Sequence, residues 1–127
     1  MTPRTIKART TKIEGKGRGL LAGAPIEADE IIDVASTIVL SATDCDLLEQ
    51  TAVGDYYFAH PSDPELGLVV LGLPSLSNHA ESPNSDIRWH CDEGVGWVAE
   101  LYALRPIAAG EEITRRYRCA PWFKIAS

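Results

Sequence analysis

The chain has only three cysteines among its 127 residues. Cys45, Cys91 and Cys119 are odd in number and far apart, so neither a disulfide framework nor a zinc ribbon is signalled, and they read as small, mostly buried thiols. Long apolar runs are also missing. The longest is about half a dozen residues, where a membrane span needs ~20, so no membrane partner is expected. No basic start followed by an apolar run and a small-residue cleavage site opens the chain, from which an intracellular, soluble protein is expected, cytoplasmic if bacterial. Cys-x-x-Cys, His-Glu-x-x-His, Gly-x-Ser-x-Gly and the Walker phosphate loop are all absent, so metal hydrolysis, acyl transfer and nucleotide hydrolysis lose their usual signals and no metal is expected. With 45% apolar and 24% charged residues, what remains is one globular domain.

Basic residues are scarce over most of the length. Between Glu27 and Glu100 there are fifteen carboxylates and one basic residue, Arg88. Residues 1 to 18 hold Arg4, Lys7, Arg9, Lys12, Lys16 and Arg18 against Glu14, a balance of +5, so with a net charge of -6 the remainder carries -11. Such a field repels a phosphate backbone and attracts a cationic partner, so direct nucleic-acid contact is not expected. Solvated carboxylates that keep a small protein soluble explain the same pattern, and charge alone identifies no substrate.

Turn residues divide the chain into short strands. Thr5 to Ile13 mixes β-branched and basic residues without helical spacing, and the run Gly15-Lys16-Gly17-Arg18-Gly19 then breaks it as a tight turn before a strand begins at Leu20. Ile31 to Leu40 is rich in Ile and Val, as a largely buried strand is. Ser41 or Thr43 caps a short helix from about Asp44 to Thr51. Asp55 to Phe58 and Gly67 to Leu73 read as strands, while Ser75 to Ser85 is too polar for regular structure and reads as a loop of functional length. Strands at Ile87 to Cys91 and Val95 to Leu104 flank a turn at Glu93-Gly94, and Ile113 to Tyr117 is the last.

The expected fold class is mostly β, a β-rich α+β arrangement with one short helix. A faint internal echo joins its ends: Ala22 to Ile31 (AGAPIEADEI) resembles Ala103 to Ile113 (ALRPIAAGEEI), 81 residues later. Two such strand-turn-strand units would be neighbours if the sheets pack head to tail, and a generic way of making a turn accounts for the echo equally well. The glycine-rich turn, taken alone, is only a turn whose backbone could approach a ligand closely between two cations suited to a carboxylate.

Four pieces in order are more specific. Gly17-Arg18-Gly19-Leu20-Leu21-Ala22, Tyr56-x-Phe58, Asn78-His79 followed by Pro83-Asn84, and Ala103-Leu104-Arg105-x-Ile107-x-Ala109-Gly110-Glu111-Glu112-Ile113-Thr114-x-x-Tyr117 together resemble the SET domain. The resemblance covers about residues 5 to 118, leaving 119 to 127 as a tail of one single domain. SET domains are protein-lysine methyltransferases that use S-adenosylmethionine. The resemblance implies a β-clip-like fold of small curved sheets with a C-terminal pseudoknot, in which the Asn78-His79 loop meets the strand ending at Tyr117. Cofactor and target lysine would enter from opposite faces and join through a narrow channel.

It also implies roles. Lys16, Gly17 and Arg18 would hold the methionine portion of the cofactor, and Asn78 and His79 would contact it. Tyr117 would be the catalytic tyrosine, with Tyr56 beside it in the lysine channel and Tyr57 a further substrate-binding candidate. Trp122, next to Phe123, suits either a lid over the adenine or a core plug. His79 and His90 both invite a general-base reading, but the resemblance gives His79 to binding and loop geometry, and His90 falls on a strand. Methyl transfer from a sulfonium to an amine needs alignment rather than a metal, and tyrosines suit a channel that must tolerate a cation and orient an amine.

The sequence departs from the family in places. Ala80-Glu81 stand where Ser-Cys is usual, Ser75-Leu76-Ser77 where Arg-Phe-Ile is usual, and no cysteine-rich zinc segment follows Tyr117. The short stretch between Tyr56 and Asn78 is that of a minimal, viral or bacterial type of SET domain, which a homodimer would complete. The acidic middle then suits a lysine-containing basic protein or peptide, such as a histone tail or another lysine-rich protein. Two alternatives stand beside this reading: a non-catalytic β-clip binding module, and a degenerate SET fold that binds cofactor without transfer.

Overall fold

The computed structural model describes residues 6–116. Near the N-terminus β1 (Ala8–Ile13) turns through residues 14–16 into β2 (Gly17–Ala22), an antiparallel hairpin with Ala8 opposite Ala22 and Lys12 opposite Arg18. The expected break at Gly15 to Gly19 is therefore shorter, because Gly17, Arg18 and Gly19 already belong to the second strand. The longest strand is β3 (Ile31–Leu40), as its run of Ile and Val indicates.

Ser41 then starts α1 (Ala42–Leu48) with a reciprocal capping box: its hydroxyl accepts from the Asp44 amide at 3.0 Å and the Asp44 carboxylate accepts from the Ser41 amide at 3.0 Å. Ser41 rather than Thr43 is the cap, so the helix begins two residues before the expected Asp44. It ends at Leu48, and Thr51 caps a separate 3₁₀ turn, Ala52–Asp55. Tyr56 closes that turn, so the expected aromatic strand shrinks to β4 (Phe58–Ala59). The next strand, β5 (Gly67–Val70), is also shorter than expected, since Pro74 draws Leu73–Leu76 into a second 3₁₀ turn.

The polar segment expected to be irregular contains a two-residue strand, β6 (Asn78–His79). A hairpin of β7 (Ser85–Asp92) and β8 (Gly96–Ala103) follows, its turn tied by the Asp92 carboxylate, which accepts from the Gly94 amide at 2.7 Å and the Val95 amide at 3.1 Å. The last described strand is β9 (Glu112–Arg115).

The strands form two sheets. One has the order β1-β2-β9-β6 and the other β4-β5-β3-β8-β7. β9 is inserted between β2, its antiparallel partner through Leu20–Ile113 and Leu21–Glu112, and β6, its parallel partner through Asn78–Thr114 and His79–Arg115. This insertion carries the end of the described chain past the Asn78-His79 segment.

The core has two parts. Leu20, Ala22, Ile26, Ile32, Leu101, Ala103, Ile107 and Ile113 pack where the two sheets meet, and Ala35, Phe58, Leu68, Val70 and Ala99 fill the inner face of the five-stranded sheet. Each fully buried Leu or Ile contributes about 1.5–3 kcal/mol of hydrophobic stabilisation. Among the described cysteines Cys45 is half-buried and Cys91 is exposed, so the expectation of mostly buried thiols fails at Cys91, which lies near the solvent-facing end of β7. Among the described residues no helix is long and apolar enough to cross a membrane.

The two echoing segments are paired. Ile26 and Ile107 form a bridge in which each amide donates to the other's carbonyl at 2.8 Å. Their turns share one internal design. The Glu30 carboxylate accepts from the Glu27 amide at 2.9 Å, and the Glu111 carboxylate accepts from the Ala108 amide at 3.1 Å. Asp29 (φ 66°) and Gly110 (φ 86°), at matching positions, both adopt the left-handed conformation. The echo thus reflects two matching turns clasped around the first core cluster.

Candidate active site

The site begins with a glycine. A Cβ on Gly19 would lie 2.6 Å from Asn78 Nδ2, 2.7 Å from Ile13 Cγ1 and 2.9 Å from Glu112 Oε2, so only glycine lets β2, the Asn78 segment and β9 converge here. In that space Asn78 Nδ2 donates to the Arg18 carbonyl at 3.1 Å and to Glu112 Oε2 at 2.9 Å. The other carboxylate oxygen of Glu112 pairs with Lys16 Nζ at 3.2 Å. Glycine-rich turn, loop asparagine and last strand therefore meet in one hydrogen-bonded group.

Arg18 points elsewhere. Its guanidinium donates to the Tyr56 hydroxyl at 3.4 Å and its Cζ lies 5.6 Å from the centre of the Tyr56 ring, and among the described residues it has no carboxylate partner. This joins Tyr56 to the glycine-rich turn, although 38 residues separate it from Arg18. Tyr57 is placed differently. Its hydroxyl donates to Glu49 Oε1 at 3.0 Å beside α1, and burial, then the Glu49 hydrogen bond, raise its pKa well above the ordinary phenol value. It lines a cavity of about 240 Å³ with Cys45, whose thiol pKa is also raised, chiefly by burial. The structure thus brings Tyr56, but not Tyr57, to the Arg18 side.

His79, the second residue of β6, is buried, with Nε2 3.3 Å from Glu81 Oε1. Glu81 also lies 3.8 Å from Arg116. The Ala80 amide donates to the Arg115 carbonyl at 3.1 Å, extending the ladder between β6 and β9. Ala80-Glu81, which replace the family's usual pair, thus tie the loop to the last strand by backbone and charge. His90 lies on β7 with Nε2 3.5 Å from Glu100, away from this group.

Several supporting residues carry no catalytic signature in the sequence. Asn84, only 2% exposed, donates to the Glu112 carbonyl at 2.8 Å and accepts from the Thr114 amide at 2.9 Å, while Ser85 donates to the Thr114 carbonyl at 2.6 Å. The Arg115 guanidinium stacks 4.4 Å from the Phe58 ring centre and donates to the buried Ser77 hydroxyl at 3.1 Å, bridging the two sheets. The Pro83-Asn84 pair was visible as part of the family pattern, but its anchoring of β9 was not. Tyr117 and Trp122 lie outside the described residues, as does Cys119.

Many carboxylates of the acidic middle have structural work. Asp44 completes the capping box of α1, Asp33 accepts from the Leu73 amide, Glu30 pairs with Lys7, and Glu100 lies between Arg88 and His90. Glu111 is held below the usual carboxylate pKa by the Arg105 guanidinium and then by the Ala108 amide. Among the described residues no group of three or more His, Cys, Asp or Glu is placed to hold a metal ion.

Residues 17–118 match the SET domain family. That span is most of the chain, and the protein belongs to this family. It is 32% identical over 111 residues to a histone-lysine N-methyltransferase of Schizosaccharomyces pombe specific for H3 lysine-37, covering 87% of this chain and 73% of the relative. A Plasmodium falciparum protein described as a candidate histone methyltransferase superposes with a TM-score of 0.74 at 25% identity, over 94% of this chain and 100% of that one. The Chaetomium thermophilum Polycomb Repressive Complex 2, in an autoinhibited conformation bound to S-adenosylmethionine, gives a TM-score of 0.67 at 22% identity over 84% of this chain and 14% of that chain, which supports the fold alone.

Proposed function

We propose that this protein is an S-adenosylmethionine-dependent protein-lysine N-methyltransferase acting on a basic protein such as a histone tail or another lysine-rich protein. The observation that carries the reading is the convergence of the glycine-rich turn, Asn78-His79 and β9 at Gly19. The relative specific for a histone lysine supports the activity and the substrate class.

The donor set fits the cofactor. Its methionine portion is a zwitterion, for which Arg18 offers a cation and Asn78 an amide. When bound, S-adenosylmethionine supplies a methyl group on a positively charged sulfur, ready for in-line displacement by an amine. Gly17 and Arg18, with the Asn78-His79 segment, bind and orient, which is the main contribution alignment makes to such a transfer. Tyr56 offers a ring that tolerates a cation and a hydroxyl that orients an amine, and Tyr117, by its resemblance to the family pattern, is the catalytic tyrosine of this reading. A lysine amine has a pKa of about 10.4, and an apolar channel lined by such rings lowers it, favouring the neutral nucleophile. The acidic middle of the chain, with fifteen carboxylates and one basic residue between Glu27 and Glu100, attracts a basic peptide.

The test uses labelled cofactor with mixed histones and bacterial lysate. The wild-type protein is expected to label protein, and Tyr117→Phe to keep cofactor binding while losing most of the transfer. Equal behaviour of wild type and variant contradicts the reading.

A further inference from the structure

We infer that Glu112 is a positioning residue that fixes which atoms of Asn78 and Arg18 read the cofactor's amino-acid portion; the inference rests on the function proposed above and assigns a residue to which that function gives no role. A primary amide is nearly symmetric in shape, so an asparagine at a binding site turns easily to present either its donor or its acceptor. At Asn78 the choice is made by its neighbours. Nδ2 faces two acceptors, the Arg18 carbonyl at 3.1 Å and Glu112 Oε2 at 2.9 Å. A flipped amide would set oxygen against both. Oδ1 is thereby kept as the amide's remaining group, an acceptor, which suits an ammonium.

The second oxygen of Glu112 acts on charge. It pairs with Lys16 Nζ at 3.2 Å, with both side chains half-buried. Lys16 is thus neutralised inside the cluster, and Arg18, without a described carboxylate partner, is left as the cation that a carboxylate meets. This revises the expected role of Lys16 from direct cofactor contact to support. The carboxylate is itself held: the Glu112 carbonyl accepts from Asn84 at 2.8 Å and its backbone is paired with Leu21. The absence of a side chain at Gly19 lets Glu112 Oε2 pack close against β2, 2.9 Å from where a Cβ would stand. One side chain, 34 residues from Asn78 and 96 from Lys16, therefore sets the polarity of a zwitterion-reading site.

The test is titration calorimetry on the full chain with three ligands: S-adenosylmethionine, S-adenosylhomocysteine and 5′-methylthioadenosine, which lacks the amino-acid portion. Glu112→Gln is expected to weaken the first two by roughly tenfold, the scale of a lost hydrogen bond to a charged group, and to leave the third unchanged. In an Asn78→Ala background the effect of Glu112→Gln is expected to shrink, because the two act as a unit. Unchanged affinity for S-adenosylmethionine in Glu112→Gln, or an equal loss for all three ligands, overturns the inference while the proposed function stands. A wild-type protein that binds neither S-adenosylmethionine nor S-adenosylhomocysteine overturns the proposed function and this inference together. Should the variant fail to fold, the side-chain amide protons of Asn78 in the wild type decide: slow exchange with solvent supports the clamp, and fast exchange overturns it.

Discussion

Ile26 and Ile107 exchange both of their backbone hydrogen bonds at 2.8 Å, joining two turns of similar sequence from opposite ends of the chain. The pairing closes the first core cluster, and it places Glu111 at the entrance to β9. The fold therefore aligns its last strand through a clasp whose first turn follows β2 and whose second turn precedes β9.

The matching left-handed positions of the two turns make a stability prediction. Nothing lies within 4 Å of a Cβ built on Gly110, so Gly110→Ala meets only backbone strain and is expected to lower stability by about 1 kcal/mol. Asp29→Gly removes that strain from the partner turn and is expected to raise stability or leave it level. Urea unfolding of both variants checks the pair, and a stabilised Gly110→Ala would contradict it.

At Gly19 the obstacle is contact. A methyl group 2.6 Å from Asn78 Nδ2 and 2.9 Å from Glu112 Oε2 must push the loop and last strand apart. Gly19→Ala is expected to lose about 1–3 kcal/mol of stability by overpacking and to weaken S-adenosylmethionine binding as well. Thermal unfolding and calorimetry read the two effects separately.

Asn84 predicts a structural loss. It is buried, and its amide makes hydrogen bonds on both sides to the β9 backbone, to the Glu112 carbonyl and from the Thr114 amide. Asn84→Ala leaves those groups unpaired and is expected to cost about 2–4 kcal/mol, seen as a lower denaturant midpoint.

Glu111 carries a pH dependence. Its folded pKa is depressed, so it contributes stability above its unfolded value of about 4.3, and the contribution is lost as pH falls through the folded value. Arg105→Met removes the main cause of the depression. The variant is expected to be less stable than wild type near neutral pH, with the gap closing in acid. Denaturant midpoints across that range check the sign, and a gap that widens in acid would contradict it.

Local pattern made much of this fold legible. The Ile and Val run of β3, the Ser41 cap and the hairpin turn at Glu93-Gly94 are each set by neighbouring residues. The echo between Ala22 and Ala103 was legible as sequence, but only the structure separates a shared clasp from a common turn. β6 was not legible, because two polar residues become a strand only through β9, 36 positions along the chain from Asn78 to Thr114. Tyr56, through its Tyr-x-Phe pattern, and Tyr57 were both expected on the substrate side, and the 3₁₀ turn closed by Tyr56 separates them, sending one to Arg18 and the other to Glu49. The roles of Asn84 and Glu112 depend on three segments meeting, which no single stretch announces.

Mass spectrometry of a lysine-rich histone substrate after incubation with the wild-type protein and S-adenosylmethionine tests the central claim most directly. The account predicts methyl groups on lysine side-chain nitrogens, absent when cofactor is omitted. Methylation confined to other residue types, or none from a protein that binds the cofactor, would contradict it.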